Sequence, residues 1–219
     1  MIKTIIFDMD GTILNTIDDI AESVNHAFIA KGYQKQSIEA VKMAVGSGAF
    51  TLIDRLAPKH LTHEEKMSLF DVYQAHYDKH SNVHTGPYEG IMPLLDDLRH
   101  KGFKLAVVSN KLEYLVQELN EKIFNNYFDV SIGEVAGIPV KPAPDMLYKA
   151  LKLLKVEKEE ALFIGDSDVD MLTAFNAGLK SVGVTWGYRD QKTLEENHAT
   201  YIIHHPKDLL EVIERNQNL

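Results

Sequence analysis

Short apolar runs alternate with amphipathic stretches along most of this chain, and the period changes from one to the next. Ile2 to Phe7 is apolar, rich in β-branched residues and ended by Asp8, which predicts a buried strand. Similar runs recur at Lys104–Val108, more weakly at Phe128–Ile132, and then at Ala161–Ile164, Ser181–Val184 and Tyr201–Ile203. Between them, apolar positions return at helical spacing over about 90–101, 113–121, 146–154, 169–177 and 208–215. Strands alternating with helices predict an α/β architecture with a doubly wound, mainly parallel sheet.

One stretch breaks the alternation. From Asn15 to about His84 the pattern is helical throughout, with helices expected over 18–31, 38–45, 49–56 and 64–79. Gly32 is placed to stop the first of these, Gly46-Ser47-Gly48 interrupts the series, and Thr62-His63-Glu64-Glu65 has the spacing of a capping box. Residues 15–85 are therefore read as an inserted all-helical domain, with 1–14 and 86–219 forming the core around it.

Composition narrows the picture. The 219 residues are 45% hydrophobic and 25% charged, as expected of a globular protein with a substantial core. Acidic side chains outnumber basic ones by 32 to 23, so nucleic acid or an anionic membrane is not the expected partner. The chain has no cysteine, which removes disulfides, thiolate nucleophiles and zinc–thiolate sites. The first apolar stretch is too short for a secretory signal, and no run approaches a membrane span, so a soluble cytoplasmic protein is expected.

The chemistry lies at strand ends. Asp8 and Asp10 follow the first strand, Ser109 and Asn110 follow another, and Asp166 follows a third. In open α/β sheets the ligand site lies outside the carboxyl ends of the strands, so these residues are expected to meet. Two carboxylates in Asp8-Met9-Asp10 disfavour joint ionisation unless a cation or proton serves them, and Gly11 lets the backbone turn sharply beside a ligand.

Asp8-Met9-Asp10-Gly11-Thr12, then Ser109-Asn110, then Lys141-Pro142, then Gly165-Asp166-Ser167-Asp168-Val169-Asp170 resemble the four ordered motifs of the haloacid dehalogenase superfamily. More narrowly, the chain is similar to its phosphoglycolate phosphatase-like branch, in which a helical cap is inserted after the first motif. The resemblance implies a Rossmann-like core and a phosphatase working through an aspartyl-phosphate intermediate. Asp8 is then the expected nucleophile, Asp10 the acid/base, and Ser109 with Asn110 the donors to a phosphoryl oxygen. Lys141 is expected to neutralise charge on the nucleophile and the transferring group. Mg²⁺ is the implied cofactor, held by Asp8, the main-chain carbonyl of Asp10 and Asp166, with Asp170 orienting Lys141 or a metal-bound water.

Residue types also prune the chemistry. The family's carbon–halogen enzymes do not carry the second aspartate, whereas Asp10 is present here, which favours phosphate ester or anhydride hydrolysis. Phosphosugar mutases of this shape add a cap histidine where this chain has Ile20, so mutase chemistry is the weaker expectation. The expected partner is a small phosphorylated metabolite, 2-phosphoglycolate first, with pyrophosphate, nucleotides and sugar phosphates as alternatives. A phosphate-sensing module without turnover is the competing class, and the protein is expected to be a monomer or homodimer. Gly11 and Thr12 are expected beside the substrate, and Gly46, Gly48 and Arg55 to contact its non-phosphate end. Trp186-Gly187-Tyr188-Arg189 follows a strand end and is read mainly as packing.

Overall fold

The computed structural model describes residues 1–217. The chain opens with β1 (Thr4–Phe7) and the short β2 (Leu14–Asn15), followed by four consecutive helices. These are α1 (Ile17–Ala30), α2 (Ile38–Ala44), α3 (Ala49–Leu56) and α4 (His63–His80), after which the short β3 (Gly86–Pro87) returns the chain. Alternation then begins: α5 (Ile91–His100), β4 (Lys104–Leu112), α6 (Glu113–Phe124), β5 (Val130–Glu134), α7 (Asp145–Leu154), β6 (Ala161–Gly165) and α8 (Asp168–Ala177). It ends with β7 (Lys180–Val184), α9 (Gln191–Glu196), β8 (Tyr201–Ile203) and α10 (Asp208–Gln217).

Six strands form one parallel sheet in the order β5-β4-β1-β6-β7-β8. Successive side chains of a strand point to opposite faces, and the central strands carry unbroken apolar runs, Ile5–Phe7, Leu105–Val108 and Ala161–Ile164, because both faces are covered. Ile5, Phe7, Leu105, Val107, Leu162 and Ile164 pack on one face with α5, α6 and α10. Ile6, Ala106, Val108, Ala161 and Phe163 pack on the other with α7 and α8.

The helices α1–α4 have an apolar cluster of their own, built on Val24, Phe28, Ile53, Leu69, Tyr73 and Tyr77. Their ends are drawn together by β2 and β3, which pair antiparallel at Leu14↔Pro87 and Asn15↔Gly86. Buried Asp19 ties this base: it accepts from the N–H groups of His84 and Thr85, each at 2.9 Å, and from Thr85 Oγ1 at 2.7 Å. Both halves of the expected capping box form at Thr62 and Glu65, so α4 begins at His63.

Several elements differ from the sequence expectation. β2, β3 and α9 were not expected; the two strands are short and paired only with each other, so they lack an alternation to read. β4 continues past Val108 to Leu112, with its register against β5 shifting between those residues. Ser109 and Asn110 therefore lie within an irregular strand end and not after it. No helix among the described residues is long and apolar enough to cross a membrane.

The layering gives a direct test. Ile5→Ala, at a fully buried position of β1, is expected to lower stability by about 2–5 kcal/mol in urea unfolding. Leu153→Ala, on α7 but 55% exposed, is expected to change it by no more than about 0.5 kcal/mol.

Candidate active site

Register brings the chemical residues together. Phe7 pairs with Val107 on one side and Ile164 on the other, so β1 and β6 end at nearly one level, beside the point where β4 becomes irregular. Asp8 follows Phe7 directly and its N–H donates to Ile164 O at 2.8 Å. Asp8, Ser109, Asn110, Lys141 and Asp166 all line one cleft, together with residues of α1, α3 and α4.

The floor of this cleft is a buried charge cluster. Lys141 Nζ donates to Asp8 Oδ1 at 2.8 Å and to Asp170 Oδ1 at 2.6 Å, and its side chain is almost wholly enclosed. Asp170 is fully buried, and its Oδ2 accepts from Ser167 N and Ser167 Oγ at the start of α8. Both oxygens of Asp170 are thus committed, and its work is to hold Lys141. Gly165 makes that seat possible: a Cβ there would stand 2.3 Å from the Asp170 Cβ.

Asp166 is held from the other side, by Thr12 Oγ1 at 3.1 Å and Tyr188 N at 2.7 Å. Asp8, Asp166 and Asp170 each place a carboxylate oxygen within 4.8 Å of the others. Burial, then the neighbouring carboxylates Asp170 and Asp10, raise the Asp8 carboxyl from an ordinary 3.8 to about 7, against the opposing pull of Lys141. Burial raises Asp166 still more clearly, reinforced by Asp170 and Asp8. Burial by itself draws the Lys141 ammonium down, but Asp170 and Asp8 outweigh it and hold Lys141 above the usual lysine range. One buried ammonium faces three buried carboxylates, so the cluster is short of positive charge. Hard oxygen donors with unmet negative charge suit a small divalent cation such as Mg²⁺.

Asp10 is treated differently from Asp8. Its Oδ1 lies 3.0 Å from the ammonium of Lys111, a side chain only 5% exposed. Its carboxylate stands outside the cluster of three, so a contribution to a cation falls to its main-chain carbonyl. Ser109 Oγ is buried in the cleft and accepts a long bond, 3.3 Å, from Lys111 N, which leaves its hydroxyl proton free to donate.

Three expected contacts differ in the geometry, and the side chain of a fourth residue, Asn110, lines the cleft but is already engaged. Asn110 spends its amide as a clamp, accepting from Lys141 N at 2.8 Å and donating to the carbonyls of Lys141 at 2.9 Å and Gly46 at 3.0 Å. Gly11 and Thr12 are not donors to a substrate, because their N–H groups close the turn onto Leu14 O and Met9 O. Gly11 has φ +85°, and a Cβ on it would stand 2.3 Å from Asp166 Oδ2; glycine is there to let Asp166 approach. Arg55 points back into its own segment, donating to Ala44 O at 3.0 Å and Ser47 Oγ at 2.9 Å, and does not reach the cleft. Gly46 and Gly48 do line it, both at positive φ.

Other site residues were not foreseen. Lys111, Tyr73 and Tyr77 line the cleft, the tyrosines from α4. The segment Trp186–Arg189 is more than packing. Trp186 Nε1 donates to Thr12 O at 2.9 Å, Tyr188 shares a hydroxyl contact with Thr16, and Arg189 donates to Lys42 O, Met43 O and Val45 O. Its position directly after β7, beside the ends of β1 and β6, was the available signal.

Comparison with known proteins agrees with this arrangement. A family model for haloacid dehalogenase-like hydrolases matches residues 5–184. The phosphoglycolate phosphatase of Aquifex aeolicus is 31% identical, over 98% of this chain and 98% of its own. A pyrophosphatase of Halalkalibacterium halodurans is also 31% identical, over 97% of each chain. A crystal structure of a Lactobacillus delbrueckii protein, provisionally named a phosphoglycolate phosphatase, superposes with a TM-score of 0.91 at 36% identity, covering 96% of this chain and 98% of that one. By sequence and by fold, this chain belongs to the haloacid dehalogenase-like hydrolases.

Proposed function

We propose that the protein is a Mg²⁺-dependent phosphatase acting on a small phosphorylated metabolite, with 2-phosphoglycolate the first substrate to test. The observation that carries this reading is the unlike treatment of two aspartates on one turn. Asp8 is locked to Lys141 on the floor, whereas Asp10 stands beside Lys111 in the cleft. A single carboxylate site would bind an ion; two carboxylates in separate surroundings support two chemical roles.

Asp8 Oδ1 is fixed by Lys141, and Oδ2 has no protein donor among the described residues. Oδ2 then attacks phosphorus to form the aspartyl phosphate while Asp10 gives its proton to the departing oxygen. In the second step Asp10 takes a proton from water, which attacks the phosphorus, releases inorganic phosphate and regenerates Asp8. Ser109 Oγ–H and the Lys141 ammonium offer positive charge to the phosphoryl oxygens. Asp8, Asp166 and the main-chain carbonyl of Asp10 would hold Mg²⁺, which supplies the positive charge that lets a phosphate dianion enter among carboxylates. Residues 15–85 act as a cap over the site.

Size favours a compact substrate. The cavity volume is about 60 Å³. The names of the relatives point the same way, to phosphoglycolate first and pyrophosphate second.

Two outcomes are expected. Asp8→Asn should reduce kcat on 2-phosphoglycolate by at least about 10³-fold in a phosphate-release assay with Mg²⁺. Parent protein inactive on phosphoglycolate, pyrophosphate, nucleotides and sugar phosphates alike would defeat the phosphatase reading. The second outcome concerns pH. Between about 4 and about 7 folded Asp8 keeps a proton that the unfolded chain has released, so its contribution makes the cation-free protein less stable as pH rises. Mg²⁺ competes with that proton. Its effect on Tm should therefore be small near pH 5, grow through neutrality, and be largely lost in Asp8→Asn. A Tm increment that does not change with pH would contradict this assignment.

A further inference from the structure

Lys111 is the one cation in the cleft whose position the phosphoryl chemistry leaves unexplained. Lys141 is committed to Asp8 and Asp170, and Arg189 to Asp168 and three main-chain carbonyls of the helical segment. Lys111 comes off the irregular end of β4 and reaches across to α4, where its Nζ meets Tyr77 Oη at 2.7 Å and lies 4.8 Å from the centre of the Tyr77 ring. Tyr77 is itself buried and stacks on Tyr73 at a ring separation of 5.5 Å. Around them the cleft is lined by Ile20, Leu52, Leu112 and Leu115. An ammonium in such surroundings is costly unless anions meet it, and the protein supplies one, Asp10, at 3.0 Å. Of its three N–H donors one serves Tyr77, and Asp10 Oδ1, although at ion-pair distance, accepts no hydrogen bond from the rest.

Position decides what the remaining donors meet. If Asp10 protonates the departing oxygen, the leaving group lies against Asp10. Lys111 Nζ stands 3.0 Å from the Asp10 carboxylate, so a substituent one or two bonds beyond the departing oxygen falls within its reach. We propose that Lys111, oriented by Tyr77, is the specificity residue of this enzyme and recognises a negative charge on the leaving group. A carboxylate one carbon from the departing oxygen and the second phosphate of a pyrophosphate share that chemistry. The tyrosines and leucines around Lys111 exclude water and make the charge contact count for more than it does at a surface. This assignment rests on the phosphatase reading for its geometry, but concerns a different residue and a different property, discrimination between leaving groups.

The test compares 2-phosphoglycolate and pyrophosphate with ethyl phosphate, whose leaving group is small and uncharged. In Lys111→Met, the preference for phosphoglycolate over ethyl phosphate in kcat/KM should fall by about 10- to 100-fold, mainly through KM. Lys111→Arg should keep part of the preference, and Tyr77→Phe, which retains the ring, should lose less of it than Lys111→Met. Equal losses on charged and neutral substrates would overturn the assignment and make Lys111 a support for Asp10. Binding gives an independent readout that needs no turnover: thermal shift or calorimetry of Asp8→Asn against its Lys111→Met double variant, with phosphoglycolate and ethyl phosphate in the presence of Mg²⁺. Asp8→Asn should bind phosphoglycolate more tightly than ethyl phosphate, and the double variant should lose that difference while remaining folded by circular dichroism. No difference between the two esters, or no binding of either, overturns the proposal. An inactive parent that still shows the binding difference would defeat the phosphatase reading alone.

Discussion

The site depends on one buried ammonium. Lys141 Nζ sits between Asp8 and Asp170, and the surrounding groups are arranged to keep it there. Asn110 fixes its main chain from β4, Ser167 fixes Asp170 at the head of α8, and β1 delivers Asp8 at the level of β6. A buried charge pair contributes little net stability, since desolvation offsets most of the attraction, but removing one partner strands the other. The cluster is therefore better understood as fixing geometry than as stabilising the fold. What stabilises the fold is the apolar layer on each side of the sheet, which contains none of these residues.

That division explains why one short turn can carry two roles. Gly11, at positive φ, closes the turn and leaves space for Asp166, so Asp8 and Asp10 are separated although only Met9 lies between them. Met9 is fully buried and anchors the turn to the sheet core. Asp8 faces Lys141 from the segment before α7, and Asp10 faces Lys111 from the irregular end of β4. The different surroundings follow from topology, because the ends of β4 and β6 flank that of β1 on opposite sides.

The sheet was legible because each central strand is short, apolar and ended by a chemically distinctive residue. Asp8, Ser109 and Asp166 were legible because strand ends meet in a parallel sheet, whatever their separation in sequence, whereas Lys141, in the segment between β5 and α7, was legible only through the family resemblance. Other contacts were not. Arg55 beside a glycine-rich turn looks like a ligand contact, yet its guanidinium satisfies carbonyl and hydroxyl groups of its own segment. Thr12 looks exposed after a glycine, yet its hydroxyl is fully buried against Asp166. Lys111 and Tyr77 were illegible for a different reason. Their meeting depends on the β4 irregularity and on how α4 lies over the sheet, and neither leaves a periodic trace.

The seam between the helical segment and the core follows from the same residues. The apolar cluster of α1–α4 takes in Leu115 from the core and packs against Leu112 and Tyr188, while polar bonds span the rest of the seam. Asn110 reaches Gly46, Lys111 reaches Tyr77, and Arg189 reaches the last carbonyls of α2, where a cation also suits the helix dipole. The neutral Asn110 bond has a net worth of about 1 kcal/mol, and those from Lys111 and Arg189, being charged, about 1.5–3 kcal/mol each. Asn110 also holds Lys141, and Lys111 also faces Asp10. The contacts that seat the helices over the cleft are therefore made by side chains that also organise its charges, so a charged leaving group at Lys111 would bear on both.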